Sequence, residues 1–364
     1  MKHTAIYAYL KNDMMKKWVE YQSSTDRRNY GVRTVDGKEV PEQSDLATIP
    51  YIQVQQCRGD HLTYDNSTPY IYSATAYAAH SADILRRTAY ILGKTDDEKR
   101  YTELFENIKR AFNDAWVNDD GSVSYYGEVS SQTAHCGESV ALDGSVTRYT
   151  YYAENTPHCP SQTAYALAVD FDLIPKDKLK NTRKYFKNSI LRNNGKLTVG
   201  FLGISHLAPA LSKVGLDDVA FKLLEQEDNP SWLYSVKNGA TTIWERWNSY
   251  IAETGTFGDV SMNSFNHYSY GAIGQWFFTD ILGIRPVEFG YKSFMLAPKF
   301  GGGLTYAKGS FTSPYGKISS AWKLHDGKFT YDCTVPTNTT ATLKLPNGDI
   351  HTLVGGSYHF EINV

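Results

Sequence analysis

The sequence predicts a mainly α-helical protein, a toroid or solenoid of paired helices, followed by a small antiparallel β-sandwich. Apolar residues recur every three or four positions through successive segments before residue 226, and short Gly-bearing links separate these segments. No fixed repeat period runs through them. From about Pro286 the apolar period changes to two, with Asp326-Gly327 and Asn347-Gly348 placed as hairpin turns. A chain of 364 residues fits one large domain and one modest domain, here 1–285 and 286–364.

The first helix is expected over residues 2–24, with Tyr7, Leu10, Met14, Trp18 and Tyr21 on one face. Residues 25–69 are loop-rich, broken by Pro41, Pro50, Gly59 and Pro69. A helix over 70–92 carries the small-residue stripe Ala74, Ala78, Ala82 and Ala89, and Gly93 suits its C-terminal stop. The next, over 96–116, is entered through Asp96-Asp97 as a cap and buries Leu104, Ile108, Ala111 and Phe112. Residues 118–158, rich in Ser, Gly, Asn and Tyr, form a long loop with a short hairpin. Helical pattern resumes over 162–173, 175–191, 207–214 and 217–226. Strands are expected at 311–313, 316–324, 328–335, 339–345 and 358–364.

Charge and composition narrow the function. Lys and Arg number 37 against 39 Asp and Glu, a net charge of −2 that would gather neither nucleic acid nor an anionic membrane. Aromatic residues make up 14 % of the chain and include 27 Tyr, more than a core requires. Rings with a polar tip stack on sugars and hydrogen-bond at their rims, although a Tyr-rich core and surface accounts for the count equally well. Cys57, Cys136, Cys159 and Cys333 form no metal-binding spacing and read as free thiols, so no metal is implied. No apolar run approaches the about 20 residues of a membrane span, and Lys11, Asp13, Lys16 and Lys17 interrupt any signal-peptide core. The compartment is left open.

The segment 229–284 differs from the helices around it in its density of Trp, Asn, His and Gly. Glu245 sits in TTIWERW between Trp244 and Trp247, with Arg246 beside it. Apolar rings raise a carboxylate's pKa and a guanidinium lowers it, and both tune a catalytic acid or base. A structural ion pair with Arg246 or another Arg, on the rim of a tryptophan-rich core, fits the same spacing. Glycoside hydrolysis needs two carboxyl groups, roughly 5–5.5 Å apart for retention or 6.5–9.5 Å for inversion. Asn263, Asn266 and His267 follow nearby, as site residues or as loop caps and a core histidine.

QTAYALAVDFDLIP at 162–175, VGFLGISHLAPALSKVG at 199–215, PSWLY at 230–234, NGATTIWERW at 238–247 and MNSFNHYSYGAIGQW at 262–276 together resemble the bacterial α-L-rhamnosidases of glycoside hydrolase family 78. GYKSFMLAPKF, SPYGKISSAW and VPTNTTATLKLP resemble the β-sandwich that follows the barrel in that family. The resemblance implies an (α/α)6 barrel and an inverting hydrolase of terminal α-L-rhamnosyl residues. Its partner is then a rhamnose-containing glycoside, and no cofactor is needed. It assigns Glu245 as general base and His267 as a rhamnose contact, with Trp247 also in the substrate-binding set.

Two departures accompany the resemblance. RGDHLTYDNSTP at 58–69 stands where the family has GDW, so Asp60 matches and His61 replaces a rhamnose-stacking Trp. The family's general-acid motif, of the form DxPxREKLGWxGD, is absent from the 364 residues and is expected upstream of Met1. The reading is thus the C-terminal part of a rhamnosidase, its barrel incomplete at the N-terminus and its activity low. Alternatives are a truncated sugar-binding homologue without hydrolysis, a glycosidase or lyase acting on another deoxy or uronic sugar, and Asp60 or Asp65 as an acid within the chain.

Overall fold

The computed structural model describes residues 12–23, 50–53, 59–64, 68–124 and 160–364, together with the backbone of strands β1 (Val32–Val35), β2 (Lys38–Pro41), β3 (Gly137–Val140) and β4 (Val146–Tyr149). β1 pairs with β2 and β3 with β4, both antiparallel. The second of these is the hairpin expected within 118–158. Cys57, Cys136 and Cys159 lie outside the described residues, and Cys333 is a buried free thiol.

The helical domain is built of antiparallel hairpins. α1 (Asn12–Ser23) packs on α2 (Tyr70–Ile91), which pairs with α3 (Thr95–Trp116). α4 (Gln162–Asp170) is followed by α5 (Leu179–Leu191), and α6 (Phe201–Lys213) by α7 (Asp217–Leu224). α2, α4 and α6 pack against one another on the inside, and the helix following each packs outside it. α4 buries every residue from Gln162 to Val169, as a helix walled on all sides must. α2 buries Tyr72, Ala76, Ala79 and Ala82, and Tyr72 meets α3. Tyr72, Phe112 and Trp116 interlock there, with centroids 4.8–5.2 Å apart. This hairpin assembly is the mainly helical (α/α)6 architecture that the resemblance implied.

The local expectations need four corrections. On α1 the residue buried against Leu85 and Tyr101 is Val19, whereas Met14 is 75 % and Trp18 55 % exposed. Trp18 instead stacks on Tyr21 at 5.8 Å, while Tyr7 and Leu10 lie outside the described residues. Asp96 and Asp97 are not caps. α3 begins at Thr95, so both carboxylates occupy the first turn, where they face the positive end of the helix dipole. α5 begins at Leu179, because Pro175 opens a turn closed by Lys178 N–H on its carbonyl at 3.0 Å. Finally α6 begins at Phe201, six residues before the expected 207 and directly after Gly200.

The chain from 229 to 284 contains α8 (Trp232–Lys237), the two-residue strands β5 (Tyr250–Ile251) and β6 (Thr256–Phe257), a 3-10 turn at Ser269–Ala272, α9 (Ile273–Trp276) and a π-turn at Phe277–Ile281. Two four-stranded sheets follow. One has the order β14-β11-β10-β9, from β9 (Tyr306–Ser313), β10 (Gly316–His325), β11 (Lys328–Val335) and β14 (Gly356–Asn363), and is antiparallel throughout. The other has the order β13-β12-β8-β7, from β7 (Ile284–Pro286), β8 (Ser293–Leu296), β12 (Thr340–Lys344) and β13 (Ile350–Leu353). β12 and β8 pair in parallel there. β7, β8 and β13 are short and escaped the sequence reading.

Alternation on β11 buries Phe329, Tyr331, Cys333 and Val335, and on β10 it buries Ile318, Ser320 and Trp322. Asp326 and Gly327 adopt positive φ of 49° and 74°, as the β10–β11 hairpin turn requires. Trp322 Nε1–H donates to the Ile281 carbonyl at 2.9 Å and Ser320 Oγ–H to Leu282 at 2.7 Å, fastening the sandwich to the end of the helical domain. Asp280, 2 % exposed, reinforces this junction by pairing with Arg285 and with Lys299 at 3.2 Å, and Lys299 also reaches Asp217 at 2.7 Å. Among the described residues no helix is long and apolar enough to cross a membrane.

Candidate active site

Three chain segments meet at the N-terminal end of α6. The 59–64 turn lies along residues 198–203. Tyr64 N–H donates to Thr198 O at 2.8 Å, Thr63 Oγ–H to the same carbonyl at 2.6 Å, and Phe201 N–H to His61 O at 2.9 Å. Leu62 takes φ of 60°, a costly conformation for a branched residue that these bonds maintain. Gly200 is required by the close approach. A Cβ there would stand 2.2 Å from the His61 carbonyl oxygen.

The approach delivers Asp60 to the helix start. Its Oδ1 accepts from Leu202 N–H at 2.7 Å and Gly203 N–H at 3.0 Å, and its Oδ2 from Gly200 N–H at 2.8 Å and from the Thr163 hydroxyl. Asp60 therefore caps α6 from 140 residues away. Local sequence around 200 holds no Ser, Thr, Asp or Asn at the cap position, which is why the first turn of α6 was not legible. Burial pushes the Asp60 carboxyl above its ordinary range, while the Thr163, Gly200, Gly203 and Leu202 donors pull it back. At 6 % exposure and with both oxygens doubly used, Asp60 positions the site from beneath.

The two motifs found in sequence are hydrogen-bonded to each other. Glu245 N–H donates to Ser264 O at 2.8 Å, and Ser264 N–H returns to Glu245 Oε2 at 2.7 Å. His267 N–H donates to Ile243 O at 2.8 Å, and the Thr242 hydroxyl to Phe265 O. TTIWE and SFNH thus run side by side in opposite directions. The half-buried Glu245 has one carboxylate oxygen held by an amide, and its Oε1 has no protein donor among the described residues. Arg246 is not its partner. The guanidinium pairs with Asp259 at 3.1 Å and donates through Nε to Met262 O at 2.9 Å, which removes the ion-pair alternative for Glu245.

His267 stacks on Phe201 at 4.9 Å and 18°, and on Tyr268 at 5.2 Å and 11°. Its Nδ1 accepts from Ser269 N–H at 3.3 Å, so the neutral ring carries its proton on Nε2 and presents a donor there. His61 is exposed and meets the Phe201 ring edge-on at 5.4 Å. Phe201, which the sequence reading passed over, is thus the ring against which both histidines rest. Trp247 is only 2 % exposed. It stacks on Tyr270 at 3.7 Å and 9°, meets Trp232 edge-on at 5.4 Å and donates from Nε1 to Val199 O at 3.0 Å. It supports the site from below and offers no open face. Asn263 ties the segment down through Ser249 O at 2.8 Å, and the Asn266 amide turns back onto Ser264 Oγ at 3.2 Å. Among the described residues no group of three or more His, Cys, Asp and Glu side chains could hold a metal ion.

This arrangement, one amide-held carboxylate beside a histidine donor over an aromatic floor, coincides with a family match along almost the whole chain. Residues 9–281 match the bacterial alpha-L-rhamnosidase 6 hairpin glycosidase domain, and residues 283–360 the bacterial alpha-L-rhamnosidase C-terminal domain. The chain belongs to the bacterial α-L-rhamnosidase family, glycoside hydrolase family 78. An α-L-rhamnosidase of Formosa agariphila is 33 % identical over 343 residues, covering 94 % of this chain and 32 % of that protein. One from Streptomyces avermitilis is 38 % identical over 288 residues, covering 79 % and 24 %. Among solved structures, the Streptomyces avermitilis α-L-rhamnosidase complexed with L-rhamnose superposes with a TM-score of 0.76 at 31 % identity, over 96 % of this chain and 30 % of that one. The α-L-rhamnosidase of Aspergillus terreus gives a TM-score of 0.69 at 31 % identity, over 82 % and 31 %. The chain thus spans about a quarter to a third of the length of these rhamnosidases.

Proposed function

We propose that this chain supplies the general-base side of an inverting α-L-rhamnosidase site, with Glu245 activating the water that attacks the anomeric carbon of a terminal α-L-rhamnosyl residue. The observation that carries the reading is the Glu245 carboxylate itself. One oxygen is oriented by the Ser264 amide and the other has no protein donor among the described residues, as a base that must take a proton requires. His267 offers Nε2–H to a sugar hydroxyl, and exposed His61 borders the same ring stack. Asp60 and Trp247 hold these groups in place from beneath. In this reading 1–285 is the helical catalytic domain and 286–364 the sandwich, and the ligand is a rhamnose-containing glycoside. The complex of the Streptomyces avermitilis relative with L-rhamnose supports that ligand class.

An inverting step needs a second carboxyl to protonate the leaving oxygen, and the family's acid motif does not occur in the 364 residues. Rhamnose binding with slow turnover is therefore the expected behaviour of the chain. The test is calorimetry with L-rhamnose together with chromophore release from an aryl α-L-rhamnoside. Glu245→Gln is expected to keep the binding heat and to lower residual turnover by about 10²- to 10⁴-fold. Turnover unchanged in Glu245→Gln would remove Glu245 from the base role. Binding heat with no product in either protein would establish a sugar-binding module.

A further inference from the structure

The loop whose Ser264 amide orients Glu245 has no hydrophobic anchor. No residue from 251 to 268 is buried, and Phe257, Val260, Met262 and Phe265 stand exposed along it. Apolar burial is what usually fixes a loop in place, so this one depends on polar ties. Two of them run to the fully buried Ser249, whose carbonyl accepts from Gly258 N–H at 3.2 Å and from Asn263 Nδ2 at 2.8 Å. A third comes from Arg246. Its guanidinium donates through Nε to Met262 O at 2.9 Å and pairs through Nη2 with Asp259 Oδ2 at 3.1 Å. Asp259 closes a turn of its own, its Oδ1 accepting from Ser261 N–H at 2.9 Å and from the Ser261 hydroxyl at 2.7 Å. The Arg246 backbone is itself fixed, since its N–H donates to Ser249 Oγ at 3.1 Å.

We infer that Arg246 and Asp259 are positioning residues for the general base: they clamp residues 259–262 and so set where the Ser264 amide holds the Glu245 carboxylate. The inference rests on the reading of Glu245 as the base. Chain connectivity makes the coupling tight. Arg246 follows Glu245 directly, and Met262, whose carbonyl the guanidinium grips, lies two residues before Ser264, whose amide grips Glu245. Adjacent side chains thus reach one loop at points two residues apart, and a shift of that loop moves the amide against the carboxylate. Lysine cannot replace the fork, because a single ammonium does not fix a carbonyl and a carboxylate in two set directions. The Ser261 hydroxyl and amide, with Arg246 beyond them, hold the Asp259 carboxyl below the ordinary carboxylate range, so the clamp stays charged in weak acid.

The test compares the 364-residue chain with Arg246→Lys, Asp259→Asn and the double variant. Asp259→Asn keeps an acceptor for Ser261 and removes only the charge. Hydrogen exchange of the Ser264 amide, followed by NMR, reads its bond to Glu245 directly and is expected to run roughly 3- to 10-fold faster in each single variant. Residual turnover of an aryl α-L-rhamnoside is expected to show kcat lowered by about 10- to 100-fold, the order that a displacement of about 1 Å costs, with KM within about twofold. Tm is expected to hold within about 3 °C, because the pair is partly exposed. The double variant is expected to match the single ones, since either change opens the same clamp. Unchanged Ser264 exchange in both single variants would overturn the inference, as would losses that add in the double variant. A raised KM with kcat kept would also overturn it, by placing Arg246 on the substrate. A larger Tm loss in both single variants would do the same, by making the pair a support of the fold. Ser264 exchange that responds as expected, in a chain showing neither turnover nor heat with L-rhamnose, would support the clamp and overturn the rhamnoside reading.

Discussion

Removing the Asp60 carboxylate should unfasten the first turn of α6. Asp60→Ala leaves the Gly200, Leu202 and Gly203 amides without their acceptor, in a place where Gly200 and Gly203 are enclosed by the 59–64 turn, Thr163 and Val199. A buried donor left unpaired costs about 1–3 kcal/mol, so three such amides amount to about 3–9 kcal/mol. Relief of the burial that raises the Asp60 carboxyl offsets part of this, since deeply buried carboxylates carry desolvation costs of several kcal/mol. The net expectation is a loss of about 2–5 kcal/mol. Urea unfolding followed in parallel by tryptophan fluorescence and far-UV circular dichroism measures it, because Trp247 lies against Val199 one turn away. A loss below about 1 kcal/mol would rule out this capping role, since it would mean that water reaches these amides once the carboxylate is gone.

Three further outcomes are expected. Asp280→Asn, which removes the charge shared by Arg285 and Lys299 at the domain junction, should cost about 3–5 kcal/mol in thermal unfolding, and a change within about 0.5 kcal/mol would show that junction to be wet. Gly200→Ala places a Cβ 2.2 Å from the His61 carbonyl and so must displace the 59–64 turn, which should cost about 1–3 kcal/mol and weaken L-rhamnose binding measured by calorimetry. The Asp120 carboxylate, held near a pKa of about 2 by the Ser122 and Tyr185 hydroxyls, binds its proton more weakly folded than unfolded. Its contribution is therefore present above about pH 4 and lost as pH falls toward 2. Because the group is exposed, the effect should stay below about 1 kcal/mol, and a carboxyl NMR titration giving an ordinary Asp value would contradict it.

Much of the architecture was readable because it depends on local periodicity. The stripe through 70–92 and the alternation of 316–335 each place apolar groups on one face whatever lies opposite, and the structure puts a helix and a strand pair at these places. The Asp326-Gly327 turn was equally local, since two consecutive positive φ values limit the choice of residue. Glu245 and His267 were found through motif resemblance, and their spacing alone left an ion pair open. Only the fold shows Arg246 engaged with Asp259, and TTIWE hydrogen-bonded alongside SFNH.

Local pattern was enough to separate helical hairpins from a sandwich and to single out the segment that holds the candidate site. Which of the named residues keep free polar groups, and which are committed to contacts within the protein, depends on the tertiary structure. Asp60 and Trp247 carried the right chemistry for sugar contact, yet the fold commits the carboxylate to the amides of α6 and the indole to a stack with Tyr270. Phe201 and Tyr270 carried no chemical signal, yet they form the floor beneath the site. The physical reason is distance along the chain. A helix cap supplied from 140 residues away, and a ring stack assembled from residues 201, 247, 267 and 270, depend on pairings that no local window contains.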